Sequence, residues 1–122
     1  MSGAFARYLA VGALATVAHW ALLAGMVEAH RAPAWLGSGA GAVLGAQVAF
    51  FGNRRFTFDH AGALWPAWWR FMGTALVGGA LGMVIVAGGV TLGAHYLLAQ
   101  AVATLASVLL TFAINRGWTF AS

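Results

Sequence analysis

Cysteine and lysine are missing altogether, and only two acids, Glu28 and Asp59, and two prolines occur in 122 residues. Each scarcity excludes something. Without cysteine there is neither a disulfide nor a thiolate metal site. The two acids fall at opposite ends of apolar runs, so they cannot form a catalytic carboxylate pair, and no Ser-His-Asp arrangement is credible around a single loop aspartate. His30, His60 and His95 lie in loops or at helix ends without carboxylates at ligand spacing, which predicts no metal. No G-x-x-x-x-G-K-[ST] segment is present, so no nucleotide-driven engine is expected. The chain reads as a non-enzyme without a cofactor.

Charge itself is scarce. Charged residues make up 7% of the chain and hydrophobic ones 62%, against about 25% charged residues in soluble domains. Mean hydropathy is +0.87. No soluble core of this size hides so much apolar surface, and the solvent must be lipid. The net charge of +4 does not point to nucleic acid, because the few basic residues stand at the ends of apolar runs, where they set membrane orientation. All are arginine. Bidentate phosphate recognition and a composition bias that also favours alanine and glycine both account for that.

Four apolar runs are present: Tyr8 to Val27, Ala34 to Gly52, Phe71 to Val90 and Tyr96 to Ile114. The first is too long for the hydrophobic part of a signal peptide and three more follow it, so a retained spanning helix is expected. Between the second and third lies a polar stretch, Asn53 to Arg70. Trp65, Trp68 and Trp69 there read as an interfacial segment entering the third helix, since tryptophan settles at headgroup depth.

One pattern occurs twice. Phe50-Phe51-Gly52-Asn53-Arg54-Arg55-Phe56-Thr57-Phe58 returns as Phe112-Ala113-Ile114-Asn115-Arg116-Gly117-Trp118-Thr119-Phe120, or F-x-x-N-R-x-[FW]-T-F. Upstream, Phe5-Ala6-Arg7-Tyr8 is matched by Trp69-Arg70-Phe71-Met72. The expected fold is therefore all-α and integral to the membrane, with four transmembrane helices as two tandem helical-hairpin repeats. Repeat one covers about 5–58 and repeat two about 69–120, within one domain over 1–122. Four crossings put Arg7, Arg54, Arg55, Arg70 and Arg116 on one side and Arg31 on the other. The positive-inside rule makes the first side cytoplasmic, with both termini there. The repeat predicts the same, since a unit that crosses twice returns to its starting side.

Small residues recur every four positions: Gly37, Gly41 and Gly45; Thr74, Gly78 and Gly82; Ala99, Ala103 and Ser107. In lipid, close backbone approach through small residues supplies helix contact. These stripes mark protein-facing surfaces, whether of the other hairpin or of a second copy. Four thin helices enclose little volume, so a homo-oligomer is expected. His19 lies about 17 Å beyond Tyr8 along its helix, near the bilayer centre, where an ionisable group is a functional candidate. It lines a polar path or bonds a neighbouring helix. Gln47 and Gln100 are weaker members of that path, and interhelical bonding can satisfy their amides. Thr16 and Ser107 are expected to bond their own helices.

The doubled motif has two readings. Asparagine ends helices in the left-handed conformation, arginine suits a helix C-terminus and aromatics anchor the interface. Equally, Arg7, Asn53, Arg54, Arg55, Arg70, Asn115 and Arg116 on one face form a site for a lipid phosphate at headgroup depth.

As a set, these motifs resemble the GtrA-like family of bacterial membrane proteins, with Val11-Gly12 and Thr16 also matching its opening. The resemblance covers essentially the whole chain. It implies flippase-type movement of a polyprenyl-phosphate-linked monosaccharide across the inner (cytoplasmic) membrane for cell-surface polysaccharide glycosylation. Membrane lipids and a membrane glycosyltransferase are the other partners implied. Carried over residue by residue, Arg7, Asn53, Arg54, Arg70, Asn115 and Arg116 bind the headgroup; Gly117 stands where a basic residue is often found, so the second copy grips phosphate less. One alternative is a non-transporting subunit that stabilises or positions a polyprenyl-phosphate glycosyltransferase. The other, a small multidrug exporter, normally needs a membrane-embedded carboxylate that this chain lacks.

Overall fold

The computed structural model describes residues 2–57 and 63–114. Four helices account for most of them: α1, Ser2–Glu28; α2, Ala34–Gly52; α3, Leu64–Thr91; and α4, Tyr96–Ile114. The stretches Ala6–Glu28, Ala34–Phe56 and Leu64–Thr91 are long and apolar enough to cross a membrane, and the shorter apolar helix Tyr96–Thr111 accompanies them. The protein is a multi-pass, all-helical membrane protein. With 27 and 28 residues, α1 and α3 rise about 40 Å, more than a hydrocarbon core of about 30 Å. Their first turns therefore reach past the apolar runs and carry Arg7 and the Trp65-to-Arg70 segment.

Helices α1 and α3 end alike. Arg31 N–H bonds Met26 O at 3.0 Å and His30 N–H bonds Val27 O at 3.0 Å. Ala94 N–H bonds Gly89 O at 2.9 Å and Gly93 N–H bonds Val90 O at 3.0 Å. Both are Schellman closures. The left-handed residue is Gly93 at φ 96° in one and His30 at φ 55° in the other. His95 then starts α4 by accepting the Leu97 N–H on Nδ1 at 3.1 Å.

The first copy of the doubled motif behaves differently from the helix-ending reading. Asn53 is right-handed, at φ −68° and ψ −38°, and the chain continues through a π-helical turn over Asn53–Thr57. Its N–H still finds Ala49 O and Phe50 O, so nothing there calls for a left-handed cap. The helix simply widens.

The small-residue stripes pack within each hairpin. A Cβ on Gly37 would sit 3.0 Å from Leu23 Cδ1, one on Gly45 3.0 Å from Ala15 O, and one on Gly41 would run into His19 O; α1 thus lies directly on the glycine face of α2. In the second hairpin, a Cβ on Gly78 would meet Thr111 Cγ2 at 2.9 Å, and one on Gly89 would meet Ala99 Cβ at 2.8 Å. The central pair, α2 and α3, joins the hairpins, with Ala46, Phe50 and Met72 forming one buried cluster. Val86, Ala99 and Ala103 form another, between α3 and α4. Large apolar side chains such as Leu14, Val84, Leu105 and Leu109 point outward, as lipid permits. Among the described residues α1 and α4 touch at the Tyr96–Glu28 end but do not pack closely along their lengths, which leaves an opening between them.

Candidate functional site

The opening between α1 and α4 is a groove of about 530 Å³ whose wall draws on all four helices. Tyr8, Phe50, Arg70 and Phe71 stand at one end. Deeper in are Thr16 and His19 from α1, Thr74 from α3, and Thr104, Ser107 and Thr111 from α4. Small residues of α2 and α3, among them Gly45, Ala46, Ala75 and Gly78, form the floor. The stripes that bring the helices together thus also hollow out the space between them.

Arg70 borders the mouth, and Arg7 is the neighbour of Tyr8 there. Arg7 Nε donates to Phe56 O at 2.7 Å, tying the start of α1 to the π-helical turn. Its two terminal amino groups remain, and a guanidinium presents donors in a fork that suits phosphate oxygens. Asn53 and Arg54 are half-buried and engaged in interactions there. Arg55 is exposed, with its guanidinium 5.6 Å from the Phe56 ring centre. Arg70 borders the groove itself. Asn115 and Arg116, with the rest of the second motif from Asn115 onward, lie outside the described residues, as do Asp59 and His60. Arg31 follows the other end of α1, beyond Glu28, which accepts a bond from Tyr96 Oη at 2.8 Å.

The expected polar path divides. His19 is on the groove wall, and its buried Nε2 makes no hydrogen bond. Gln47 and Gln100 do not line the groove. Gln47 Oε1 accepts from Trp68 Nε1 at 3.0 Å, and its Nε2 points to Met72 Sδ at 2.9 Å. Gln100, 1% exposed, accepts from Ser38 Oγ at 2.6 Å and donates to Thr104 Oγ1 at 3.0 Å. Both amides hold helices together. From Ser38 through Gln100 to Thr104, a polar chain crosses from α2 to α4 and reaches the groove.

The hydroxyls were the residues that sequence reasoning passed over. Thr16 does bond its own helix, at Gly12 O. Ser107 does not: its Oγ donates across to Gly78 O on α3 at 2.7 Å. The available signal was the placement of Thr104, Ser107 and Thr111 three and four apart, on one helix face.

A profile of the GtrA/DPMS transmembrane domain matches residues 7–120. No curated protein and no solved structure matches the chain.

Proposed function

The chain belongs to the GtrA/DPMS transmembrane domain family, whose role in the membrane concerns polyprenyl-phosphate-linked sugars, and from that premise we propose that it is a flippase for a polyprenyl-phosphate monosaccharide. The observation that carries the reading is the groove: small apolar residues interspersed with hydroxyls and His19, walled by α1 and α4, with Arg70 at one end beside Tyr8, the neighbour of Arg7. A lipid-linked headgroup can enter such a slot sideways while its tail stays in lipid. Arg7, Arg54 and Arg70 hold the phosphate at the mouth, and Asn53 and Arg55 complete the surface around them. By the internal repeat, about 5–58 and 69–120, Asn115 and Arg116 take the matching role in the second copy.

The sugar passes along the hydroxyl-lined wall beside His19. Burying a hydroxyl without a partner costs about 1–3 kcal/mol in proteins, and the groove offers partners at depth. No bond is made or broken in this scheme, and removal of the sugar on the far side by a glycosyltransferase pulls the equilibrium. The arginine end faces the cytoplasm of a bacterial inner membrane, with both termini on that side.

Purified protein in liposomes containing a labelled polyprenyl-phosphate hexose tests this. Transfer should be fast with the wild type and should fall at least about tenfold when Arg7 and Arg54 are both changed to glutamine, since each charge-assisted bond contributes about 1.5–3 kcal/mol. Transfer that is unaffected in the double variant sinks the proposal. A second reading, a subunit that positions a glycosyltransferase, draws on the family description spanning both GtrA and DPMS. It predicts co-purification with a transferase and no transfer in liposomes.

A further inference from the structure

We propose that the groove is a charge filter: it accepts a neutral polyhydroxylated group and refuses a sugar bearing a carboxylate, with Thr16, Ser107 and Thr111 as specificity-determining residues. This rests on the reading of the protein as a carrier of phosphate-linked sugars. A hydroxyl has one proton and two lone pairs. Thr16 Oγ1 commits its proton to Gly12 O at 2.9 Å, Ser107 Oγ to Gly78 O at 2.7 Å and Thr111 Oγ1 to Ser107 O at 2.8 Å. What these three turn toward the groove is lone pairs.

Thr74 and Thr104 keep a proton that can turn either way. Neutral hydroxyls of a sugar both donate and accept, so they match a wall of mixed but acceptor-rich character. A carboxylate only accepts. Facing lone pairs in a low-dielectric slot it is repelled, and burying it without a counter-charge is costly. Arg70 cannot supply that counter-charge at depth: Gly78, where Ser107 bonds, is eight residues further, about 12 Å along α3. Arg70 also stands where the phosphate is held.

Two ligands of equal prenyl length, a polyprenyl-phosphate hexose and the matching hexuronic acid, are titrated into the purified full chain at neutral pH. Binding is followed by tryptophan fluorescence, since Trp65, Trp68 and Trp69 lie close to the mouth. The uronic ligand should bind at least about tenfold more weakly than the hexose. Thr16→Arg, which places a guanidinium on the wall, should shrink that ratio to less than about threefold. Equal affinities in the wild type overturn the filter and leave the carrier reading standing. A wild-type preference that Thr16→Arg leaves unchanged removes the assignment to this groove. If neither ligand binds, the carrier reading falls and the filter with it. The wild-type ratio decides the matter even where the variant fails to fold.

Discussion

Gly41→Ala should loosen the first hairpin, although alanine is the better helix former. The added Cβ would run into the carbonyl oxygen and ring of His19 and lie 3.2 Å from its carbonyl carbon. Backbone cannot rotate away as a side chain can, so α1 and α2 have to part by roughly 1 Å. A gap of that size forfeits a quarter to a half of each van der Waals well along the seam. Overpacking of this kind costs about 1–3 kcal/mol, offset by about 0.5–1 kcal/mol from replacing glycine within a helix. The net is a loss of up to about 2.5 kcal/mol.

Gly12→Ala is the matched control, because a Cβ there meets nothing within 4 Å. It should be neutral or stabilising by up to about 1 kcal/mol. Both variants are unfolded in detergent micelles by increasing fractions of sodium dodecyl sulfate, with tryptophan emission as the probe. If Gly41→Ala proves as stable as Gly12→Ala, the direct contact of α1 on the glycine face of α2 is refuted. Because Gly41 presses on His19, Gly41→Ala should also slow headgroup transfer.

Three further outcomes are expected. Ser38→Ala leaves Gln100 Oε1 without its 2.6 Å donor at a buried position and should cost about 1–2 kcal/mol, measured in the same unfolding assay; a loss indistinguishable from zero would mean the Ser38–Gln100 bond does not tie α2 to α4. His30→Gly should stabilise by about 0.5–1 kcal/mol, since His30 occupies the left-handed position at φ 55° that Gly93 fills at the end of α3; a destabilised variant would show that the imidazole contributes something the closure does not explain. Single cysteines can be read without background in a chain that has none: Ala63→Cys should react with an impermeant thiol reagent from the cytoplasmic side and Leu92→Cys from the other, and labelling of both from one side would rule out α3 as a crossing helix.

The starts of α2 and α4 were legible because hydropathy and helix begin together there: Pro33 opens one, and Tyr96 follows the turn at Gly93. The starts of α1 and α3 were not. Their first turns mix arginine and tryptophan with apolar residues, and a hydropathy reading stops where lipid stops rather than where backbone hydrogen bonding does. Asn53 misled for a related reason: its tolerance of the left-handed region says what it can adopt, while the continuing N–H bonds to Ala49 and Phe50 decide what it does. Glycine spacing identified the contact faces of α2 and α3, yet spacing on one helix carries no information about the partner, which is set by hairpin geometry. The groove was half visible. His19 stood out because an imidazole is rare at that depth, whereas threonine and serine are common in spanning helices and become informative only when three helices bring them to one wall.

The two hairpins reach close packing by different means, and the difference bears on how a headgroup could move. On the first seam glycine meets backbone, at Gly41 on His19 and Gly45 on Ala15, so the contact is rigid and α1 holds His19 in a fixed position. On the second, Ser107 bonds Gly78 O and Thr111 bonds its own helix, and these hydroxyls keep lone pairs that can accept from a ligand hydroxyl. A passing sugar therefore meets one wall of packed backbone and one that accepts its hydrogen bonds. Ser107→Ala should leave the hairpin folded, with a loss of about 1 kcal/mol for one neutral bond, while slowing sugar transfer by more than that loss implies. A transfer rate that is unchanged in Ser107→Ala would place the sugar's route elsewhere.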